Sequence, residues 1–214
     1  MASDLKSLLI SALNQGLPGE SAHLPMAPLN RKISSLAIQD ADNYKVSAVA
    51  VIISEQNNQH QVILIERPTY DGAHSGQIAF PGGKMEPTDA NHEFTARREC
   101  FEEIGLALQD EHYIGQLTDV FIPVSSFLMH PHLYYVSEEL SFTPDIREVA
   151  SILSVTLETF NKEEVRITKD LPMQKEYILK NVPGFHIQNK FIWGATALVL
   201  NELNELLKRT KIAL

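Results

Sequence analysis

Three glutamates crowd together in the stretch Arg98-Glu99-Cys100-Phe101-Glu102-Glu103-Ile104-Gly105. Residues 90–104 read as a helix, which Pro87-Thr88-Asp89 can start by side-chain capping and Gly105 can stop. At about 100° per residue, Ala90, Phe94, Cys100, Phe101 and Ile104 gather on one side, and Glu99, Glu102 and Glu103 on the other. The i, i+3 and i+4 spacing brings the three Cβ atoms within ~5–6 Å of one another, where each like-charged pair costs ~0.2–0.5 kcal/mol. All three lie in the last turns, where the helix dipole disfavours each negative charge by a further ~0.3–1 kcal/mol. Arg98 can pair with Glu102 at i, i+4, but one arginine cannot neutralise three carboxylates. A hard divalent cation with oxygen ligands can, and it leaves coordination positions open for water and phosphate. The competing reading is the solvated acidic face of a surface helix. Glu99 added to the Glu102-Glu103 pair, the Gly82-Gly83 turn before the helix and the Gly105 stop after it favour a metal site.

The elements around this helix alternate between strand and helix. Leu5, Leu8, Leu9, Ile10 and Leu13 recur at helical spacing until Gly16, Pro18 and Gly19, and His23 to Arg31, with Pro25 and Pro28, reads as an extended connector. Residues 1–40 are therefore expected to form an N-terminal helical arm, a structural wrap on a main domain spanning 41–214. Val46 to Ile53 is β-branched and nearly all apolar, as in a strand covered on both faces, and Glu55-Gln56-Asn57-Asn58-Gln59 is a hairpin loop to a second strand at Val62 to Ile65. Ile78 to Phe80 is a short extended piece ending at Pro81-Gly82-Gly83. Tyr113 to Phe121 and Phe127 to Val136, joined through Pro123, read as strands, as does Ile152 to Val155; Leu157 to Glu164 begins a helix. Phe191 to Trp193 leads into a closing helix, Ala195 to Lys208. One α/β domain with a mixed β-sheet between helices follows.

The chain has 214 residues, 44% hydrophobic and 21% charged, enough apolar surface for a real core. A formal net charge of −9 excludes a broad electrostatic footprint for nucleic acid, so a polyanionic ligand requires a local device such as a divalent cation. The single cysteine, Cys100, excludes an intramolecular disulfide and a thiolate zinc cluster. No secretory signal pattern and no membrane-length apolar run is present, so a cytoplasmic protein without membrane partners is expected.

Gly83 followed by Arg98-Glu99-Cys100-Phe101-Glu102-Glu103-Ile104-Gly105-Leu106 resembles the Nudix box, G-x5-E-x7-R-E-U-x-E-E-x-G-U, with Cys100 at a bulky apolar site. The interval from Gly83 to Arg98 is one residue longer than usual, and the acid nearest to the first glutamate is Asp89, with Glu86 the other candidate. Arg67, the run His74-Ser75-Gly76-Gln77-Ile78-Ala79-Phe80-Pro81-Gly82-Gly83, Pro123-Val124-Ser125, Glu148-Val149 and Phe191-Ile192-Trp193-Gly194-Ala195-Thr196 are similar to the coenzyme A pyrophosphatase branch of that superfamily. Ile65, Pro68 and Gly72 depart from the branch signature, which has Thr, a small residue and Arg at those places. The resemblance covers most of residues 46–200 and implies a Nudix-like α/β/α sandwich with a mixed β-sheet.

By the same resemblance, Glu99, Glu102 and Glu103, helped by a backbone carbonyl at Gly83 in the Gly82-Gly83 turn, bind Mg²⁺ or Mn²⁺. Arg98 orients the carboxylates, and Glu148 is an extra ligand or general base. Arg67, Gln77 and Gly82 meet a small-molecule diphosphate substrate, and a homodimer is allowed. Bland readings stand beside these: Arg98 as an exposed helix pair, Glu148 as a surface acid beside Arg147, Arg67 as a strand-end charge, His74 as a structural loop residue, Phe191 and Trp193 as core. The implied reaction is pyrophosphohydrolysis of a nucleoside diphosphate linked to another moiety. Coenzyme A or its derivatives are favoured, giving phosphopantetheine and adenosine 3′,5′-bisphosphate. The alternatives are ADP-ribose, NADH or a nucleoside triphosphate as substrate, and a Nudix-fold ligand sensor without catalysis. Gly82-Gly83-Lys84 is not a P-loop, because Met85 follows the lysine, and no EF-hand loop pattern supports a calcium-buffering helix.

Overall fold

The computed structural model describes residues 5–29, 31–69, 75–173 and 178–210; Gly72 and His74 lie outside them. Two strands organise the molecule. β1 (Lys45–Gln56) and β7 (Phe127–Val136) run parallel side by side, in register from Lys45↔Phe127 to Ser54↔Val136. β1 also pairs antiparallel with β2 (Gln59–Glu66) through a two-residue turn, in which Asn57 and Asn58 both take positive φ, 52° and 60°. Asparagine tolerates that conformation, and such a turn matches the twist of a hairpin. β3 (Ile78–Ala79) and β8 (Ser151–Thr156) pair with β2. β5 (Tyr113–Gln116) and β6 (Val120–Ile122) pair with β7. A single strand was expected over Tyr113 to Phe121; the chain instead breaks at Leu117, whose N–H turns to Pro131 O.

Along its outer edge β1 changes partner. Residues Ile52 to Gln56 pair with β2, whereas Ser47 to Val49 pair with β4 (Gly82–Lys84), and Ala50 N–H bonds Pro81 O at the changeover. That switch places the Gly82-Gly83 backbone in the middle of the sheet, directly over the glutamate helix.

Side chains of β1 alternate between two cores. Ala48, Ala50 and Ile52 face α4 (His92–Ile104), joined by Ala96, Cys100, Ile104 and Tyr134. Val49, Val51 and Ile53 face the other layer, α1 (Leu5–Asn14) and α5 (Gly194–Thr210). The small Ala48 and Ala50 let α4 sit close to the sheet, and burying Ile104 fully stabilises by roughly 1.5–3 kcal/mol. The result is an α/β/α sandwich with a mixed sheet.

Several expectations need correction. The helix cap is Asn91, whose Oδ1 accepts from Phe94 N–H at 2.8 Å, and not the Pro87-Thr88-Asp89 stretch. Phe94 and Phe101 are exposed, whereas Glu103 is buried with Ala96, Cys100 and Ile104. Leu157 to Val165 forms two 3-10 turns rather than the start of a helix. The arm between 20 and 40 is not simply extended: α2 (Glu20–His23), a 3-10 turn at Leu24–Met26 and α3 (Ser34–Ala37) break it up. β9 (Arg166–Pro172) and β10 (Ile178–Ile187) form a second sheet with β11 (Lys190–Trp193) where no strands were expected.

The arm is fastened by Glu202 of α5, which is fully buried. Its carboxylate accepts from His23 Nε2 (3.0 Å), Thr118 Oγ1 (2.6 Å) and Gly19 N (3.2 Å). These donors hold its pKa below the usual carboxylate value against the opposing effect of burial.

Three histidines meet where α4 begins. His92 stacks on His130 at 4.2 Å between ring centroids and shares a 3.0 Å hydrogen bond between its Nδ1 and His132 Nε2. Asp119 and Gln116 bond His130, and Tyr113 OH bonds His132. Burial, then repulsion from its two neighbours, pushes His132 down to about 4. The folded pKa lies below the unfolded value of 6.5, so the unfolded chain takes up the proton first as pH falls. Stability is therefore complete above pH 6.5 and lost progressively toward pH 4. By pH 5 the wild type should have lost about 2 kcal/mol from this source. Urea unfolding at pH 7.5 and 5 checks it: His132→Gln should flatten the pH dependence, and an unchanged slope would refute the assignment.

Candidate active site

α4 carries the three glutamates, and each has a different environment. Glu103 is 2% exposed, and its Oε2 accepts from Gly82 N–H at 2.8 Å. Burial raises its pKa to about 7; Arg67 and the Gly82 N–H oppose the rise, and the charges of Glu99 and Glu148 add to it. Glu99 packs against the backbone of Gly83, where an added Cβ would come within 2.6 Å of Oε1. Its pKa is also raised, first by burial, with Glu102 and Glu148 contributing. The Glu102 side chain is 54% exposed.

Arg98 ties the cluster together. Its Nε and Nη2 grip Asp89 at 2.9 and 3.0 Å, its Nη1 reaches Glu102 at 2.8 Å and Glu99 at 2.9 Å, and Nη2 also donates to Lys84 O at 3.2 Å. The fork on Asp89 is the bidentate geometry that favours arginine. With Thr95 Oγ1 and Glu86 N–H as further donors to Asp89, the arginine holds that carboxyl down at about 2. Asp89 thus anchors the arginine that faces the glutamates. Of the two acids the sequence offered before the helix, Asp89 takes this place, and Glu86, the other candidate, serves it through its backbone N–H.

Arg67, at the end of β2, donates to Gly82 O at 3.3 Å and lies 3.9 Å from Glu103 Oε1. Gln77 precedes β3, and its carbonyl accepts from Arg67 N–H. Glu148 is exposed in a turn whose chain is pinned to α4 through Asp145 N–H on Glu103 O, close enough for its charge to bear on Glu99 and Glu103.

Among the described residues no three His, Cys, Asp or Glu side chains already form a metal cage. Glu99 and Glu102 turn to Arg98, and Glu103 turns to Gly82. The donors nevertheless suit a hard cation. A buried carboxylate carries a raised pKa beside two more carboxylates, and the missing Cβ of Gly83 leaves room for Glu99.

Over β4 opens a cavity of about 380 Å³. Its floor and walls are largely apolar, with Phe80, Ile122, Phe127, Met129 and Trp193 among them, and it includes Gln77, Gly82 and Gly83. Trp193 lines this cavity instead of the core. Among the described residues, Arg31, Arg67 and Lys84 are the cations of its wall, and no Asp or Glu lines it. In a chain of net charge −9 this is a local reversal of sign. Lys84 and Arg31 carried no signal in the sequence, because only the fold brings them here.

The NUDIX domain model matches residues 44–180. This chain belongs to the Nudix hydrolase family. It is 30% identical over 144 residues to the uncharacterised Nudix hydrolase NudL of Yersinia enterocolitica serotype O:8, covering 66% of this chain and 71% of that protein. It is 25% identical over 185 residues to Nudix hydrolase 3 of Caenorhabditis elegans, covering 79% and 76%. The MutT/nudix family protein from Enterococcus faecalis shares the fold, with TM-score 0.53 and 13% identity over 79% of this chain and 64% of that one. As a Nudix hydrolase, this chain acts on phosphorus anhydrides. No helix among the described residues is long and apolar enough to cross a membrane.

Proposed function

We propose that this Nudix hydrolase cleaves the diphosphate bond of a nucleoside diphosphate linked to another moiety, with coenzyme A and its derivatives as favoured substrates. The observation that carries the reading is the cavity. It is a mainly apolar slot with three cations and no acid among the described residues of its wall, backed across β4 by the three glutamates of α4. An anionic diphosphate attached to a long, partly apolar group matches that division.

Glu99, Glu102 and Glu103, with the Gly83 carbonyl, are the residues that would hold Mg²⁺ or Mn²⁺. When bound, such an ion neutralises diphosphate oxygens and lowers the pKa of the attacking water. Arg98, locked by Asp89, positions Glu99 and Glu102. Arg67 and Lys84 draw the diphosphate to β4, Gln77 and Gly82 orient it, and the apolar walls exclude water from the remainder. Glu148 accepts the proton of the attacking water. The reading includes a cytoplasmic location.

The test is a panel of coenzyme A, NADH, ADP-ribose, dinucleoside polyphosphates and nucleoside triphosphates, each with Mg²⁺ or Mn²⁺. Coenzyme A should be cleaved fastest, to phosphopantetheine and adenosine 3′,5′-bisphosphate. Faster cleavage of another diphosphate would overturn the substrate assignment, and inertness toward all would overturn the catalytic one.

A further inference from the structure

The cavity is completed by a residue that precedes the matched domain. Arg31 leaves the N-terminal arm and donates from Nη2 to Phe121 O of β6 at 2.8 Å, while the Phe121 N–H donates to Ser34 Oγ of the same arm at 3.0 Å. The arm therefore occupies both outward polar groups of Phe121 and cannot drift from the cavity wall. Its other end is fastened by the buried His23–Glu202 contact.

Phe121 pairs with Leu128 of β7, which pairs with Val46 of β1, whose carbonyl accepts from Met85 N–H just beyond β4. Three inter-strand steps of ~4.8 Å place the Arg31 anchorage about 14 Å across the sheet from β4. Among the described residues no carboxylate lies within 4 Å of its guanidinium, and burial lowers its pKa. A guanidinium stays charged even so, and a half-buried cation without a counter-ion is costly unless an anion joins it.

We propose that Arg31 is a specificity-determining residue that binds a second phosphate, one the substrate carries outside its scissile diphosphate. This rests on the reading of the cavity as the substrate site. The planar fork of arginine suits phosphate, and its distance from β4 keeps it clear of the bond that breaks. The arm, expected from the sequence to be a structural wrap, thereby chooses among nucleotides that share the same diphosphate.

Equilibrium binding of adenosine 3′,5′-bisphosphate and of adenosine 5′-monophosphate to the full chain, measured by calorimetry, tests this without turnover. The wild type should bind the bisphosphate at least about tenfold more tightly. Arg31→Ala should bring the two ligands within about twofold while leaving the monophosphate affinity unchanged, and Arg31→Lys should keep part of the preference. Equal wild-type affinities would overturn the proposal. So would an equal weakening of both ligands in Arg31→Ala, which is what a mere clamp on β6 gives; the folded Arg31→Lys variant covers a poorly folded alanine variant. Coenzyme A turnover is read separately: its absence alongside an intact binding preference removes the functional reading and leaves Arg31 as a phosphate site.

Discussion

Glu102→Gln is expected to lower Mg²⁺-dependent turnover about a thousandfold while changing stability by less than ~0.5 kcal/mol. The side chain is 54% exposed, and its ion pair with Arg98 is of the surface kind that contributes little. Arg98 keeps Asp89 and Glu99, so its position survives. The substitution keeps the shape and removes one negative charge from the donor set. A cation that stabilises the transition state by several kcal/mol loses much of that when a ligand carboxylate is removed. Initial rates and thermal unfolding of the two proteins check both halves. Turnover within threefold of wild type would show that Glu102 belongs to an ordinary acidic surface.

The two adjacent glycines should respond to alanine in opposite ways. At Gly83 the atoms nearest to the new Cβ are the end of a side chain, the Glu99 carboxylate, with Oε1 2.6 Å away. The carboxylate can swing aside, so Gly83→Ala should cost less than about 1 kcal/mol in stability but roughly a hundredfold in rate. At Gly82 the Cβ meets backbone on the neighbouring strand: Ala48 O, and Val49 Cα at 2.6 Å. Its φ of 153° also disfavours a side chain. Because β1 lies in the centre of the sheet and cannot retreat, Gly82→Ala should lose about 3 kcal/mol or more. Urea unfolding beside activity assays separates the two. A stable, inactive Gly82→Ala or an unfolded, otherwise competent Gly83→Ala would contradict the packing.

The glutamate helix was legible because its spacing and the Gly105 stop are local properties. β1 and the Asn57-Asn58 turn were legible for the same reason. The fate of Glu103 was not. A helical wheel sorts residues by polarity, and it set Phe94 and Phe101 inside and Glu103 outside. The surface beneath α4 is built from Ala48, Ala50 and Ile52, and the residues buried on α4 are Thr95, Ala96, Cys100, Glu103 and Ile104. Gly82 N–H supplies the partner that makes burial of Glu103 tolerable, and no sequence window reveals that contact. β9 escaped because Arg166, Thr168, Lys169 and Asp170 make it largely polar and exposed, and β10 because Lys180, Asn181, Pro183 and Gly184 interrupt its apolar residues, so no regular apolar period marks either. Arg31 is the extreme case, since its neighbour Phe121 is 90 residues away.

Mn²⁺ binding followed by electron paramagnetic resonance on the full chain reads directly whether the carboxylates of α4 hold the cation. The wild type should bind the ion, and both Glu102→Gln and Glu99→Gln should weaken binding at least about tenfold. Unchanged Mn²⁺ affinity in both variants would mean that the carboxylates of α4 do not hold the cation.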